Sequence, residues 1–324
     1  MPVQQNPFGQ LLVALVTPFT PDGEVAWTDV ERLVDAVVTG GADGVVVAGT
    51  TGESSTLTDR EKIRLVQTAR EVAAGRATVV AGGGSSDTAH TISHHLACEA
   101  AGADGLLVAS PAYVRPGQEG VLAHVRAVAD ATDLPVMLYD VPARTGTGFE
   151  LATLLSAARH PNVCAVKDAD GDLARAAHLI GSGDLLYFAG SDAAALPTLA
   201  IDGAGIVGVS ANVAPGSYRK LLDAVAAGEL RAATGVHQRI EPLARALNTF
   251  MPPAVATKLV LHALGRIGSP RVRLPLVGPD PRAARAVSRE LDRVRSLPDA
   301  RTTGVRLDLD AAAGGAVAAR LVDA

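Results

Sequence analysis

Short apolar runs alternate with longer amphipathic stretches along most of the chain. The runs are Leu11 to Val16, Val45 to Ala48, Thr78 to Ala81, Leu106 to Ala109, Pro135 to Tyr139, Val163 to Lys167, Leu185 to Ala189 and Ile206 to Val209. Each is rich in Val, Leu or Ile and has strand length. Helical periodicity fills the intervals. In Thr58 to Ala74, for example, Ile63, Val66 and Ala69 recur on one face, while Asp59, Glu61, Lys62 and Arg70 fall elsewhere. Near-continuous apolar strands separated by helices predict an α/β fold with a parallel sheet covered by helices. Eight strands are the number that closes a (β/α)8 TIM barrel. The competing doubly wound open sheet is disfavoured, because no Gly-x-Gly-x-x-Gly opens the first helix. Gly82-Gly83-Gly84 after the third strand reads as a tight loop.

A weak internal repeat agrees with the barrel. Gly41-Ala42-Asp43-Gly44, Gly102-Ala103-Asp104-Gly105 and Asp202-Gly203-Ala204-Gly205 each precede a strand. A glycine there ends the preceding helix in the left-handed conformation and turns the chain into the strand. After Val209 no strand is evident. Pro215 to Ala227, Glu229 to Leu247, Pro253 to Leu264 and Pro281 to Leu297 read as helices, three of them opening on proline. The expected organisation is a barrel over 1–212, a C-terminal helical subdomain over 213–297 and an Ala/Gly-rich, mobile tail over 298–324.

Composition narrows the classes. The 324 residues are 48% hydrophobic and 19% charged, with a net charge of −5, which excludes a disordered chain. Asp, Arg, Gly or His interrupts every apolar run, so no membrane span is predicted. No Lys/Arg block suggests nucleic acid. The N-terminus lacks a basic, then apolar, signal pattern, and Cys98 and Cys164 cannot build a disulfide framework, so a cytoplasmic protein is expected. His90, His94 and His95 have no third ligand nearby in sequence. They read as a polar helix face, and no metal is expected.

Active sites of such barrels lie at the C-terminal ends of the strands. Thr50, Thr51 and Glu53 follow the second strand, Tyr113 the fourth, Arg144 the fifth and Gly190 the seventh. Tyr139 ends the fifth strand and Lys167 the sixth. Alternation puts Val163, Ala165 and Lys167 on one face, and Pro135, Met137 and Tyr139 on one face of the neighbouring strand. If that face is the lumen, a buried lysine amine is a candidate for Schiff-base chemistry; the equal alternative is a lysine salt-bridged to a barrel carboxylate or snorkelling to the rim. The other three lysines, Lys62, Lys220 and Lys258, fall in predicted helices and are expected to be solvated. Tyr139 could relay a proton or simply fill the core. The Thr50-Thr51-Gly52-Glu53 turn could present two amides and two hydroxyls to an anion. Arg144 could fork a carboxylate or make a surface ion pair.

Gly49-Thr50-Thr51-Gly52-Glu53-Ser54, Tyr139-Asp140-Val141-Pro142-Ala143-Arg144-Thr145-Gly146 and Val166-Lys167-Asp168-Ala169 together resemble the dihydrodipicolinate synthase and N-acetylneuraminate lyase family, from about Gly9 to Leu297. The resemblance implies a Schiff-base lyase that handles pyruvate through Lys167, without a dissociable cofactor. It implies a proton relay of Tyr139, Thr50 and Tyr113. Tyr113 would cross a tight interface within a homotetramer, a dimer of dimers. Thr51, Gly190 and Val207 would line the pyruvate site. Arg144 points to the synthase branch, whose second substrate is aspartate semialdehyde in the diaminopimelate and lysine pathway. A sugar-acid aldolase of the same family, or a silent metabolite-binding barrel, are the alternatives. Ala112, Ser86 and His90 depart from residues that lysine-inhibited synthases often carry, which implies weak or absent lysine feedback. Val114, replacing a usual Asn, and Ala189-Gly190-Ser191-Asp192 are further departures.

Overall fold

Eight parallel strands close a barrel: β1 (Leu11–Ala14), β2 (Gly44–Val47), β3 (Thr78–Ala81), β4 (Gly105–Ala109), β5 (Val136–Asp140), β6 (Val163–Asp168), β7 (Leu186–Ala189) and β8 (Gly205–Gly208), with β8 paired back onto β1. The structure is a computed structural model that describes residues 6–294, 305–307 and 319–321. The helices between the strands are α1 (Trp27–Thr39), α2 (Asp59–Ala73), α3 (Thr88–Ala100), α4 (Gln118–Asp130), α5 (Pro142–Thr145), α6 (Leu151–Ala157), α7 (Leu173–Ser182) and α8 (Ala195–Leu199). The strand count and alternating order match the sequence pattern. Local chemistry starts the helices. At α2, Thr58 and Glu61 form a reciprocal capping box: each side chain accepts the other's backbone N–H, at 3.2 and 2.8 Å. Such a cap contributes about 1 kcal/mol.

The sequence repeat has a structural use. Gly41 and Gly102 take the left-handed conformation, at φ 100° and 96°, and in the third copy Asp202 takes it at φ 66°. The repeated aspartates then staple neighbouring strands. Asp43 accepts from the amides of Gln10 and Leu11 at 2.8 and 2.9 Å, and Asp104 accepts from Val79 at 2.8 Å.

Two apolar layers result from the period-two pattern. Val13, Val45, Val47, Val79 and Leu106 face the helices, while Leu12, Val46, Val80, Leu107, Met137, Ala165, Phe188 and Val207 fill the lumen. Phe8 plugs the lower end, edge-on to Phe188 with ring centroids 6.3 Å apart. One strand breaks strict alternation. The β5–β6 register slips by a residue between Val136↔Val163 and Met137↔Ala165. Val163 therefore packs outward with the helix-facing layer, and only Ala165 and Lys167 keep the expected shared face.

Beyond the barrel come α9 (Pro215–Ala226), α10 (Leu230–Asn248), α11 (Pro253–Ala263) and α12 (Pro281–Leu291). α9 packs against β1, and Arg219 on it pairs with Asp43, so it covers the seam where the barrel closes. α10 packs on α9 and reaches the barrel's C-terminal rim with α11. The expected mobile tail lies mostly outside the described residues; its described part is a short antiparallel pair, β9 (Val305–Leu307) with β10 (Ala319–Leu321). No helix among the described residues is long and apolar enough to cross a membrane.

Candidate active site

Lys167 stands at the C-terminal end of β6, directly across the ladder from Tyr139 on β5. It is 5% exposed, and its ammonium lies 4.2 Å from the centroid of the Tyr139 ring. It has no hydrogen bond or salt bridge to any described residue. The alternative of a lysine paired with a barrel carboxylate is thereby removed. The aspartate next to it in sequence, Asp168, points to the opposite face.

A cavity of about 340 Å³ opens above Lys167. Thr50, Thr51, Tyr139, Arg144, Lys167 and Gly190 all line it, so six of the expected site residues converge on one space. Gly190 is there for close approach. A Cβ on it would lie 2.7 Å from the Asp168 carbonyl oxygen, to which the Gly190 amide donates a hydrogen bond of 2.7 Å. The Thr50-Thr51 turn is tight: the Glu53 amide donates to the Thr50 carbonyl, and the Thr17 hydroxyl donates to the Gly52 carbonyl at 2.7 Å.

Two expected residues stand apart from this cavity. Val207 is fully buried in the lumen below, and Val209 is the residue from that end of the chain that reaches the lining. Tyr113 is 93% exposed in the single chain, on a loop with φ 72°. Conversely, α10 brings Glu241, Arg245 and Asn248 to the rim, none of which the strand-end pattern could suggest.

Behind the lumen, Asp140 and Asp168 follow Tyr139 and Lys167 in register and face the helices. Both meet Arg175 of α7, at 2.8 and 3.0 Å, and Tyr187 donates its hydroxyl to Asp168. Asp168 also accepts from the amides of Asp170 and Gly171. Burial pushes the Asp140 carboxyl above the usual carboxylate range, against the pull of Arg175. This network fixes the two strand ends that carry Tyr139 and Lys167.

Three expectations about polar residues need correction. Lys62 and Lys258 are buried, at 7% and 0% exposure, whereas Lys220 is exposed. Lys62 turns under the Gly83 carbonyl and pairs with Asp59 at 3.2 Å. Lys258 is paired with Glu53. The histidines of α3 are not a polar face either: only His90 reaches solvent, bonded to Asp59 at 2.7 Å. His94 and His95 are buried because α3 packs between α2 and α4. Burial drives the His95 imidazole down to about 3, so it is neutral. Among the described residues no three His, Cys, Asp or Glu side chains are placed to hold a metal.

Comparison with known proteins agrees with the geometry. Residues 7–293 match the model of the dihydrodipicolinate synthetase family. The chain is similar to 4-hydroxy-tetrahydrodipicolinate synthase 1 of Streptomyces coelicolor, 47% identical over 275 residues, covering 85% of this chain and 90% of the relative. It is 45% identical to 4-hydroxy-tetrahydrodipicolinate synthase of Acidothermus cellulolyticus, over 84% of this chain and 87% of the relative. Its fold superposes on the chloride-inhibited dihydrodipicolinate synthase of Acinetobacter baumannii, solved with pyruvate, at a TM-score of 0.85 and 32% identity, covering 89% of this chain and 99% of that one. With a barrel of this order, a lysine at the end of β6 and a match across nearly its whole described length, the chain is a lyase that belongs to the dihydrodipicolinate synthetase family.

Proposed function

We propose that this lyase condenses pyruvate with L-aspartate semialdehyde through a Schiff base on Lys167, the 4-hydroxy-tetrahydrodipicolinate synthase reaction of lysine biosynthesis. The observation that carries the reading is the lone buried amine of Lys167 against Tyr139. No described carboxylate ties up this amine, and it faces the cavity, where it can reach a bound keto carbon as the nucleophile that imine formation needs. The amine attacks the keto carbon of pyruvate, and water leaves as the imine forms. Thr50 and Thr51 hold the pyruvate carboxylate, with Gly190 and Val209 shaping the rest of the pocket and Val207 packed beneath it. Loss of a methyl proton gives an enamine, whose carbon attacks the aldehyde. The amino group of the bound semialdehyde then attacks the imine carbon and expels Lys167. Arg144, on the cavity wall, receives the second substrate's carboxylate as a bidentate pair.

Protons move through Tyr139, Thr50 and Tyr113. Tyr113 would act in a neighbouring copy, since its ring stands free of its own cavity. Tyr113 calls for one neighbouring copy; the family resemblance extends this to a homotetramer, a dimer of dimers, in the cytoplasm, and two unpaired cysteines suit a reducing compartment. Borohydride reduction with pyruvate is expected to add the mass of reduced pyruvate to the Lys167 peptide. A coupled assay with aspartate semialdehyde tests the second half. Product from sugar-acid aldehydes alone would replace the proposed second substrate, and a chain that traps no pyruvate would be a silent barrel.

A further inference from the structure

The turn that carries Thr50 and Thr51 is held from outside the barrel. It begins at Ala48 and ends at Glu53, both non-glycine residues in the left-handed region, with φ 51° and 58°. Each such residue costs about 1 kcal/mol and persists only where its surroundings enforce it. At Glu53 the enforcement is visible. One carboxylate oxygen accepts from the Lys258 ammonium, and the other accepts from the Arg273 amide at 3.0 Å. The side chains of Lys258 and Glu53 are 0% and 1% exposed. Lys258 also donates to the Arg271 carbonyl at 2.9 Å and sits 3.8 Å from the centroid of Phe19.

A second layer braces the first. The Arg273 guanidinium stacks on the same Phe19 ring at 4.4 Å, donates to the carbonyls of Gly23 and Thr56, and forks onto Glu61 at 2.6 and 3.0 Å. Neither Glu53, Lys258 nor Arg273 lines the cavity, so none of them touches substrate. They reach the chemistry through backbone: that of the turn, which Glu53 ends, and that of α11, whose Pro253 and Ala254 line the cavity.

We infer that Glu53 and Lys258 are positioning residues, a buried ionic tether by which α11 and the segment that follows it hold the Thr50–Thr51 turn in the shape that receives the pyruvate carboxylate. The inference rests on the reading of Thr50 and Thr51 as the carboxylate site. Its physical basis is the two-point anchoring of one carboxylate. An apolar contact of the same size would fill the space but would not fix the rotation of the Glu53 backbone. The turn, which leads from β2 toward α2, is thus held also by a helix more than two hundred residues away in sequence.

The test uses the full-length enzyme and three proteins: wild type, Glu53→Gln, and the doubly neutral Glu53→Gln/Lys258→Met. Half-saturation of borohydride trapping is measured against pyruvate concentration, alongside KM for both substrates, kcat and the thermal midpoint. In Glu53→Gln the pyruvate concentration for half-maximal trapping should rise about tenfold, the loss of one charge-assisted hydrogen bond. KM for aspartate semialdehyde should move less than about threefold, since Arg144 is not on the tether. In the double variant no bare charge is left, so the thermal midpoint should return toward wild type while the pyruvate requirement stays raised. Unchanged pyruvate half-saturation in either variant overturns the inference. So does recovery of pyruvate half-saturation together with the midpoint in the double variant, which would make the pair merely structural. Absence of trapping in the wild type would instead overturn the Schiff-base reading itself.

Discussion

Lys167 and Lys258 are both buried lysines, and they sit in opposite electrostatic settings. Lys258 is wholly enclosed, yet its charge is met by Glu53, a carbonyl and an aromatic face. Burial still pulls its ammonium down to about 8, against the pull of Glu53. Lys167 is slightly less enclosed and, among the described residues, has only the face of Tyr139. A fold that answers one buried ammonium so fully and leaves the other unanswered is using them differently. The first holds structure together; the second is free for the reaction proposed above.

The largest effects should separate the two. Lys167→Ala should lower turnover by at least about a thousandfold, since the covalent step is lost, and should abolish the pyruvate adduct. Its urea unfolding midpoint should fall less than that of Lys258→Ala, because no described carboxylate loses its partner. Lys258→Ala should lose about 3–5 kcal/mol in the same unfolding experiment as Glu53 is stranded in the interior. If the two variants were equally destabilised, the contrast between them would be gone.

A smaller effect sharpens the role of the cavity wall. Arg144→Ala should raise KM for aspartate semialdehyde by about 10- to 100-fold, the loss of a bidentate charged pair, while pyruvate trapping on Lys167 keeps its wild-type half-saturation. A parallel loss of trapping would place Arg144 on the pyruvate side of the cavity instead.

What the sequence made legible follows from the range of the interaction. Lys167 could be read because alternation is local: a lysine closing an apolar strand has few places to point. The barrel could be read because each strand and helix carries its own periodicity. Val163 was misplaced by the same rule, since a one-residue slip of the β5–β6 ladder is a property of the pair and not of either strand. Lys258 had a signal that the default of a solvated helix lysine overrode. It lies among Ala254, Val255, Leu259, Val260 and Leu261, and a helix apolar all round is buried. The partners of Glu53, Asp140 and Asp168 were not legible. Arg273 and Arg175 reach them across elements, and nothing in the local pattern of either segment records the meeting.

The smallest expected effects are in pH dependence, where two carboxyls of the supporting networks should act with opposite sign. Arg273 holds the Glu61 carboxyl far below its ordinary value, from 4.5 to about 2. Between those values the unfolded chain binds the proton and the native one does not, so stability is full above pH 4.5 and falls as the pH drops toward 2. Glu61→Gln should flatten that slope. Asp140 is the reverse case: burial raises its carboxyl above 3.8, so the native state holds the proton longer than the unfolded one. Its contribution is therefore present below pH 3.8 and is lost as the pH rises through the native value. Asp140→Asn should remove this loss, leaving the protein relatively more stable at neutral pH while Arg175 still compensates Asp168. Urea unfolding of the three proteins across the acid range reads both slopes. If Asp140→Asn and Glu61→Gln bent the curve in the same direction, the guanidinium of Arg175 would be controlling Asp140 as strongly as Arg273 controls Glu61, and burial would not be the deciding influence behind β5.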